Sequence, residues 1–336
     1  MLYQSRYQQH RIFANTPFRL TVKTPSGQEG GYIEVVCIAD NFLKVLHTVV
    51  DPKHRGGGLG RELVDLAVRY AAEHRLKLLS ACNDAAMLIQ RNASQRALSA
   101  SAEDIADYLR PMRQPEEKKY FVERVLGIKP GEYGFGDQVL PLTLPQLRKS
   151  EQILGPFSES LISELLSHPI HDLRLIAVIG LTGMYRKSKL PEERELLHQT
   201  YVQHFPGINN WDLVDLSAPY LIGDYAHKKG QDYTEIYSLS ANSNLWIKRI
   251  GIVSTLGLVR QGIIAPTLHV VQENLSHPHH LIHKAMGWAL REVGKKDVDQ
   301  MISFIEQWGS FMPRTTLRYA IERLDQPTRK RLLSLR

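Results

Sequence analysis

The chain has 336 residues, 43% hydrophobic and 23% charged, with a formal net charge of +7. That length exceeds the usual single domain, so two domains are expected, and no apolar run approaches the roughly 18 residues a membrane span needs. Cys37 and Cys82 are the only cysteines; they are too few for a disulfide framework and lack the CxxC spacing of a zinc site, so disulfide scaffolds and zinc modules are excluded along with membrane proteins. Residues 1–20 hold scattered Arg and Gln but no continuous apolar stretch or small-residue cleavage site, and the expected location is the cytoplasm. The positive charge permits an anionic partner but is unevenly placed. Residues 1–100 carry 13 Lys and Arg against 8 Asp and Glu, whereas residues 115–336 carry 27 against 24. Any case for nucleic-acid binding by the second part therefore rests on individual cations.

Residues 19–50 alternate in the manner of strands, as FRLTV, GYIEVVCI and KVLHTVV, with turns at Pro25-Ser26-Gly27 and Asp40-Asn41. After His54 come a glycine-rich turn, a helix from Arg61 to His74, a short strand KLLSA and another helical stretch. The expected first domain, residues 1–94, is thus α+β, a meander feeding a β-turn-α-β unit. Residues 95–117 are small, polar and Pro-containing, and read as a linker with about one turn of helix.

The informative stretch of the first domain is HTVVDPKHRGGGLGRELV, residues 47–64. A strand ends, the glycines turn the chain tightly, and an amphipathic helix begins. Without Cβ atoms the glycines let backbone N–H groups approach an anion at the helix N-terminus, where the dipole favours negative charge. A pyrophosphate fits there, although Arg61 after Gly60 is not the Lys-Ser/Thr of a Walker A loop. This R-x-x-G-x-G turn resembles the acetyl-CoA loop of the GCN5-related N-acetyltransferases, with Arg55, Gly58 and Gly60 as the matching residues. Residues 30–91 are similar in particular to the very small members of that superfamily, including His47 and Thr48 and a cysteine, Cys82, after the next strand. The resemblance implies an acetyl-CoA-binding domain, with His47 and Cys82 as candidates for acetyl transfer to an acceptor the sequence does not identify. After Cys82 the chain departs from those proteins, since NDAAMLIQRN replaces their Pro-aromatic and His-Pro-Glu-Tyr ending. By residue type, Cys82 is either a thiolate acyl carrier or a small buried residue, and His47 either a base or a satisfied strand side chain.

From residue 118 onwards the period is helical, with breaks at Pro169, Pro191, Pro206-Gly207, Gly230, Gly262 and Pro313, and no convincing strand remains. The helices pair, and second members are expected to begin near Pro169, Asn210, Asn244, His279 and Pro313. Helix hairpins recurring at that interval point to an α-solenoid of the HEAT or armadillo kind, whose second helices line an extended concave surface. An irregular helical bundle is the alternative.

Trp211, Trp246 and Trp288 fall within these second helices, each in company with charge. Trp211 and Asp215 are spaced i,i+4, which puts ring and carboxylate on one face, while Asp212 points elsewhere. Trp246 is followed by Arg249 at i+3, and Trp288 has Lys284 at i−4 and Arg291 at i+3. A carboxylate on a surface facing DNA repels phosphate, so it needs a reason. One reason is packing, with Asp215 paired to Arg249 in the interior. The other is catalysis, with the carboxylate stabilising positive charge that develops on a deoxyribose as its base departs.

Residues 118–336 look like the AlkD-type family of HEAT-repeat DNA alkylation repair enzymes. The shared stretches are, in order, GEYGFGDQVLPLTLPQLRK, NNWDLVDLSAPYLIGDY, NLWIKRIGIVSTL, LIHKAMGWALREVGK and MPRTTLRYAIERL. The resemblance implies a monofunctional glycosylase that excises cationic lesions such as N3-methyladenine and N7-methylguanine from double-stranded DNA, without a cofactor and without flipping the base. It places the catalytic carboxylate on Asp215, the deoxyribose-contacting tryptophans on Trp211 and Trp288, and a phosphate-contacting arginine on Arg249. A monomer working with the chromosome is expected. The competing expectation is an N-acetyltransferase whose solenoid is a non-catalytic DNA- or protein-binding module. Neither GEYGFGDQ at 131–138 nor HPHH at 277–280 has metal-site spacing, and both read as turns; no metal is expected.

Overall fold

The computed structural model describes residues 15–335 except Pro25 and Asp40. The expected turns at those two positions, and the stretch before residue 15, lie outside the described residues. Four strands, β1 (Phe18–Lys23), β2 (Glu29–Ile38), β3 (Phe42–Val50) and β4 (Lys77–Ser80), form one sheet in that order. The first three are antiparallel neighbours and β4 runs parallel to β3, which is the expected meander and crossover. The crossover helix α1 (Leu59–Glu73) buries Leu59, Leu63, Leu66, Ala67 and Tyr70, residues at helical spacing, against Leu20, Val22, Ile33, Val35 and Val45 of the sheet. Each such large apolar side chain contributes about 1.5–3 kcal/mol by leaving water.

Two irregularities shape the end of this sheet. Glu34 pairs with His47 but Val35 with Val45, so Leu46 is an extra residue, a bulge in β3. β3 pairs with β4 only from Phe42 to Val45. Beyond that point the strands part, because β4 stops at Ser80 and α2 (Asn83–Gln90) begins.

Residues 95–117 hold more order than their composition suggests. After the short α3 (Ala93–Arg96), a capping box between Ser101 and Asp104 starts α4 (Ala102–Leu109), whose Ile105, Ala106 and Leu109 are fully buried. The segment read as a linker with one turn is thus a packed amphipathic helix, in which small alanines serve close contact rather than flexibility.

Further helices follow: α5 (Glu116–Leu126), α6 (Leu144–Leu154), α7 (Glu159–Leu166), α8 (His171–Lys187), α9 (Pro191–Gln203), α10 (Trp211–Ala218), a π-helical turn Pro219–Asp224, and α11 (Tyr225–Lys229). Then come α12 (Thr234–Ala241), α13 (Leu245–Arg260), α14 (Ala265–Glu273), α15 (His280–Lys296), α16 (Val298–Trp308), α17 (Arg314–Ala320) and α18 (Gln326–Leu333). The expected recurrence holds, for α8, α10, α13, α15 and α17 start at its marks, and Asn210, Asn244, His279 and Pro313 are the N-caps of the last four.

The chain divides into two compact units, one of Met1–Val122 with Asp137–Gly180, the other of Glu123–Gly136 with Leu181–Arg336. In the first, the sheet and the early helices share their polar groups. Buried Lys44 of β3 donates to the carbonyls of Ile153, at 3.0 Å, and Gly155, satisfying the end of α6, and the Ala102 N–H donates to Glu164 of α7 at 2.9 Å. In the second, α10, α13, α15 and α17 pack in series, with α12, α14 and α16 against them. Among the described residues no helix is long and apolar enough to cross a membrane.

Candidate functional site

The second unit gathers its chemistry around the start of α10. Asn210 is fully buried; its Oδ1 accepts the Trp211 N–H at 2.8 Å and its Nδ2 donates to the Leu126 carbonyl at 2.9 Å. One side chain thus serves a helix start and a helix end, both of which leave backbone groups without intrahelical partners. The carbonyl of Val125, in the same last turn of α5, accepts two bonds, from the Trp211 indole N–H at 3.2 Å and from the Tyr133 hydroxyl at 2.7 Å. Trp211 and Asp215 share the half-buried face of α10, as their spacing requires, while Leu213, Val214, Ser217 and Ala218 form its buried face.

Asp215 meets Arg249 of α13. The guanidinium donates from Nε to Oδ1 at 3.0 Å and from Nη2 to Oδ2 at 2.9 Å, and its Nη1 donates to the Leu281 carbonyl at 2.6 Å. The planar fork matches the carboxylate on two bonds, which fixes its plane as well as its position. The pair is asymmetric in exposure, with 5% for the arginine side chain and 20% for the aspartate. A buried cation therefore holds a half-buried anion. Burial, the largest influence, pushes the Asp215 carboxyl above the ordinary carboxylate range; Arg249 opposes the rise and Asp212 adds to it. The interior pairing of Asp215 with Arg249 that the sequence offered is thus present.

Tyr133 was not singled out from the sequence. Its loop folds back because Gly127, at φ +62°, leaves room for it; a Cβ there would lie 2.5 Å from the Tyr133 ring. The ring sits edge-on to Trp246 at 5.8 Å and to His279 and His280 at 6.4 and 6.2 Å. GEYGFGDQ is thus a turn, as expected, but one that walls the site. Trp246 is 8% exposed and serves as core. The histidines of HPHH build the start of α15: His277 Nδ1 accepts the His279 N–H and His279 Nδ1 the Leu281 N–H, each at 3.2 Å. Burial holds the His277, His279 and His280 imidazoles below their ordinary range, so they are neutral at neutral pH.

Trp288 stands seven residues beyond Leu281 on the same face of α15, about 10 Å along the helix. It is half-buried and lines a cleft with Leu256, Val259, Arg260, Glu292 and Lys296. Among the described residues no hydrogen bond or ring contact joins it to Trp211 or Asp215, and neither of those lines its cleft.

In the first unit, Arg55 is exposed and Gly56 and Gly58 take φ of +81° and +82°, with Gly58 as the N-cap of α1 and Gly60 in its first turn. This left-handed backbone is what turns the N–H groups outward, and only glycine adopts it without strain. The Thr48 hydroxyl, on β3 beyond the bulge, is buried without a hydrogen-bond partner among the described residues. His47 is exposed on β3, whereas Cys82 is half-buried before α2 and packs on the core. Among the described residues no hydrogen bond joins the two.

Comparisons with known proteins bear on both regions. A family model described as DNA alkylation repair enzyme matches residues 107–324, and one described as GCN5-related N-acetyl-transferase matches residues 18–98. Among solved structures, one described as a predicted DNA alkylation repair enzyme from Enterococcus faecalis is similar, with a TM-score of 0.50 and 15% identity over 64% of this chain and 98% of that one. At that identity the likeness is one of fold. No curated protein matches the chain.

Proposed function

The chain belongs to the DNA alkylation repair enzymes, and from that premise we propose that its helical region is a glycosylase hydrolysing the N-glycosidic bond of cationic alkylpurines, N7-methylguanine and N3-methyladenine, in duplex DNA. The observation that carries the reading is the carboxylate of Asp215, fixed on two bonds by a buried arginine and itself half-buried, with 20% of its side chain exposed. Alkylation at N3 or N7 makes the base a cation. When the C1′–N bond breaks, its electron pair returns to the ring, the base leaves neutral, and no general acid is needed. The positive charge passes to the deoxyribose, where Asp215 stabilises it and orients a water whose oxygen bonds to C1′ and whose proton is lost to the carboxylate or to solvent. At ~4 Å such a charge pair contributes about 4 kcal/mol near a protein surface, against about 1 kcal/mol in bulk water. The faces of Trp211 and Trp288 add cation–π attraction to the sugar. Arg249 acts here as the positioning residue for Asp215.

The serial packing of α10, α13, α15 and α17 supports a HEAT-like solenoid as the frame of this site. For the first unit we propose acetyl-CoA binding, with the pyrophosphate at the N–H groups of Gly58–Gly60 beside Arg55 and the chain of the cofactor between β3 and β4. The absence, among the described residues, of a hydrogen bond between His47 and Cys82 favours binding over a His–Cys relay for acetyl transfer.

The test is release of N7-methylguanine from methylated duplex by the full-length protein. Asp215→Asn is expected to lose most of the release while still binding the duplex; unchanged release would remove Asp215 from the reaction.

A further inference from the structure

Tyr220 is the second residue of the π-helical turn, and two guanidiniums lie over its ring, Arg260 at 4.8 Å and Arg186 at 5.2 Å from the centroid. Both arginines are exposed and Tyr220 is half-buried. Each arginine stands in the last turn of its helix, α13 or α8, where the helix dipole favours a cation. The dipole accounts for a cation at each end, not for their convergence on one ring, which sets like charges near each other. Carboxylates close by are already engaged. Asp224, in the same turn, accepts from Lys228 at 2.6 Å and from the Tyr185 hydroxyl at 3.0 Å, and Glu292 takes Lys295 at 2.5 and 2.7 Å. Among the described residues neither Arg186 nor Arg260 has an ion pair or hydrogen bond.

The backbone holds this arrangement in place. The π-helical turn lies so close to α13 that a Cβ on Gly257 would fall 2.1 Å from the Pro219 carbonyl oxygen, and this approach brings the Tyr220 ring to Arg260. π-Helical turns are uncommon and recur at functional sites. Arg260 also lines the cleft of Trp288 together with Lys296, so one of the two uncompensated arginines and one of the proposed sugar-contacting rings share a cleft.

We propose that Arg186, Tyr220 and Arg260 form a clamp for a phosphodiester of the DNA backbone, next to the place of the reacting sugar. The inference rests on the reading of Asp215 and Trp288 as a site for duplex DNA. Guanidiniums bind phosphate oxygens on paired hydrogen bonds, and a ring that already holds their planes reduces the side-chain freedom lost on binding.

The experiment measures binding of the full-length protein to a short, labelled, lesion-free duplex across a salt series, with base release from methylated duplex assayed on the same preparations. Arg186→Gln and Arg260→Gln are each expected to lower the slope of log K against log salt by about one, and the pair by about two. Tyr220→Leu weakens binding about 3-fold, the worth of an exposed cation–π contact, and Tyr220→Phe restores it. Lys330→Gln on α18 keeps the wild-type slope. Thermal melts are unchanged for the arginine variants, whose side chains are exposed. If the wild type binds with this slope pattern yet releases no base, the glycosylase reading fails and the clamp stands. If the wild type releases base but the double arginine variant keeps the full slope, the clamp is overturned and the glycosylase reading stands. A wild type without salt-dependent duplex binding overturns the clamp as well.

Discussion

Asp215 and Arg249 show how one pair of residues supports two descriptions. As a buried ion pair it costs desolvation, and such pairs are weak contributors to stability. As a device for presenting a carboxylate it needs this geometry, with the arginine buried and the aspartate only partly so. The pH dependence follows from the direction of the Asp215 shift. The carboxylate acts when ionised, and burial raises its pKa, so base release is expected to fall, as pH drops, through a value above the ordinary carboxylate range. Arg249→Lys keeps a charge but loses the fork, and should move that acid limb to higher pH. Single-turnover rates across pH measure both; an acid limb that stays put in the variant would separate Arg249 from the carboxylate. The i,i+4 spacing made the shared face of Trp211 and Asp215 legible in the sequence. The partner of Asp215 was open, because residues 34 apart in the chain meet only when α10 packs on α13.

At the scale of elements, the loop between α5 and α6 is the least legible part of the site. Its glycines mark a turn but not what the turn encloses. Tyr133 reaches the site through a carbonyl of α5 that also holds the Trp211 indole, so loop, helix end and α10 form one assembly. Gly127→Ala sets a Cβ against the Tyr133 ring at a positive φ and is expected to lower both the melting temperature and base release. Tyr133→Phe, which loses one hydrogen bond of about 1 kcal/mol, should reduce release mildly; a release rate indifferent to Gly127→Ala would take the loop out of the site. The helix starts were legible for a local reason. Asn210, Asn244 and His279 are caps that satisfy the first N–H groups of their own helices.

For the whole molecule, the sequence suggests a break at residues 95–117, whereas the first compact unit carries the sheet together with Asp137–Gly180. Lys44 satisfies the end of α6, and buried α4 lies between the two stretches in the chain. A fragment of residues 107–336, the region containing the repair-family match, is therefore expected to melt below the full chain and to expose apolar surface, as measured by thermal unfolding and dye binding; an unchanged melting temperature would show the helices independent of the sheet. Titration of the full chain with acetyl-CoA is expected to give saturable binding that Gly58→Val abolishes, since valine resists the φ of +82° required there.

Local chemistry by itself determined the meander and crossover, the helical second part, the recurrence of its helix starts and the common face of Trp211 and Asp215, because alternation, capping and periodicity act between near neighbours in the chain. Ordered motifs carried the family. Tertiary structure decided what distant residues do to one another: that Arg249 holds Asp215, that Tyr133 walls the site, that two arginines converge on Tyr220, and that the apparent linker is a packed helix. Those outcomes depend on which faces meet when helices pack, and no spacing within a single element specifies them.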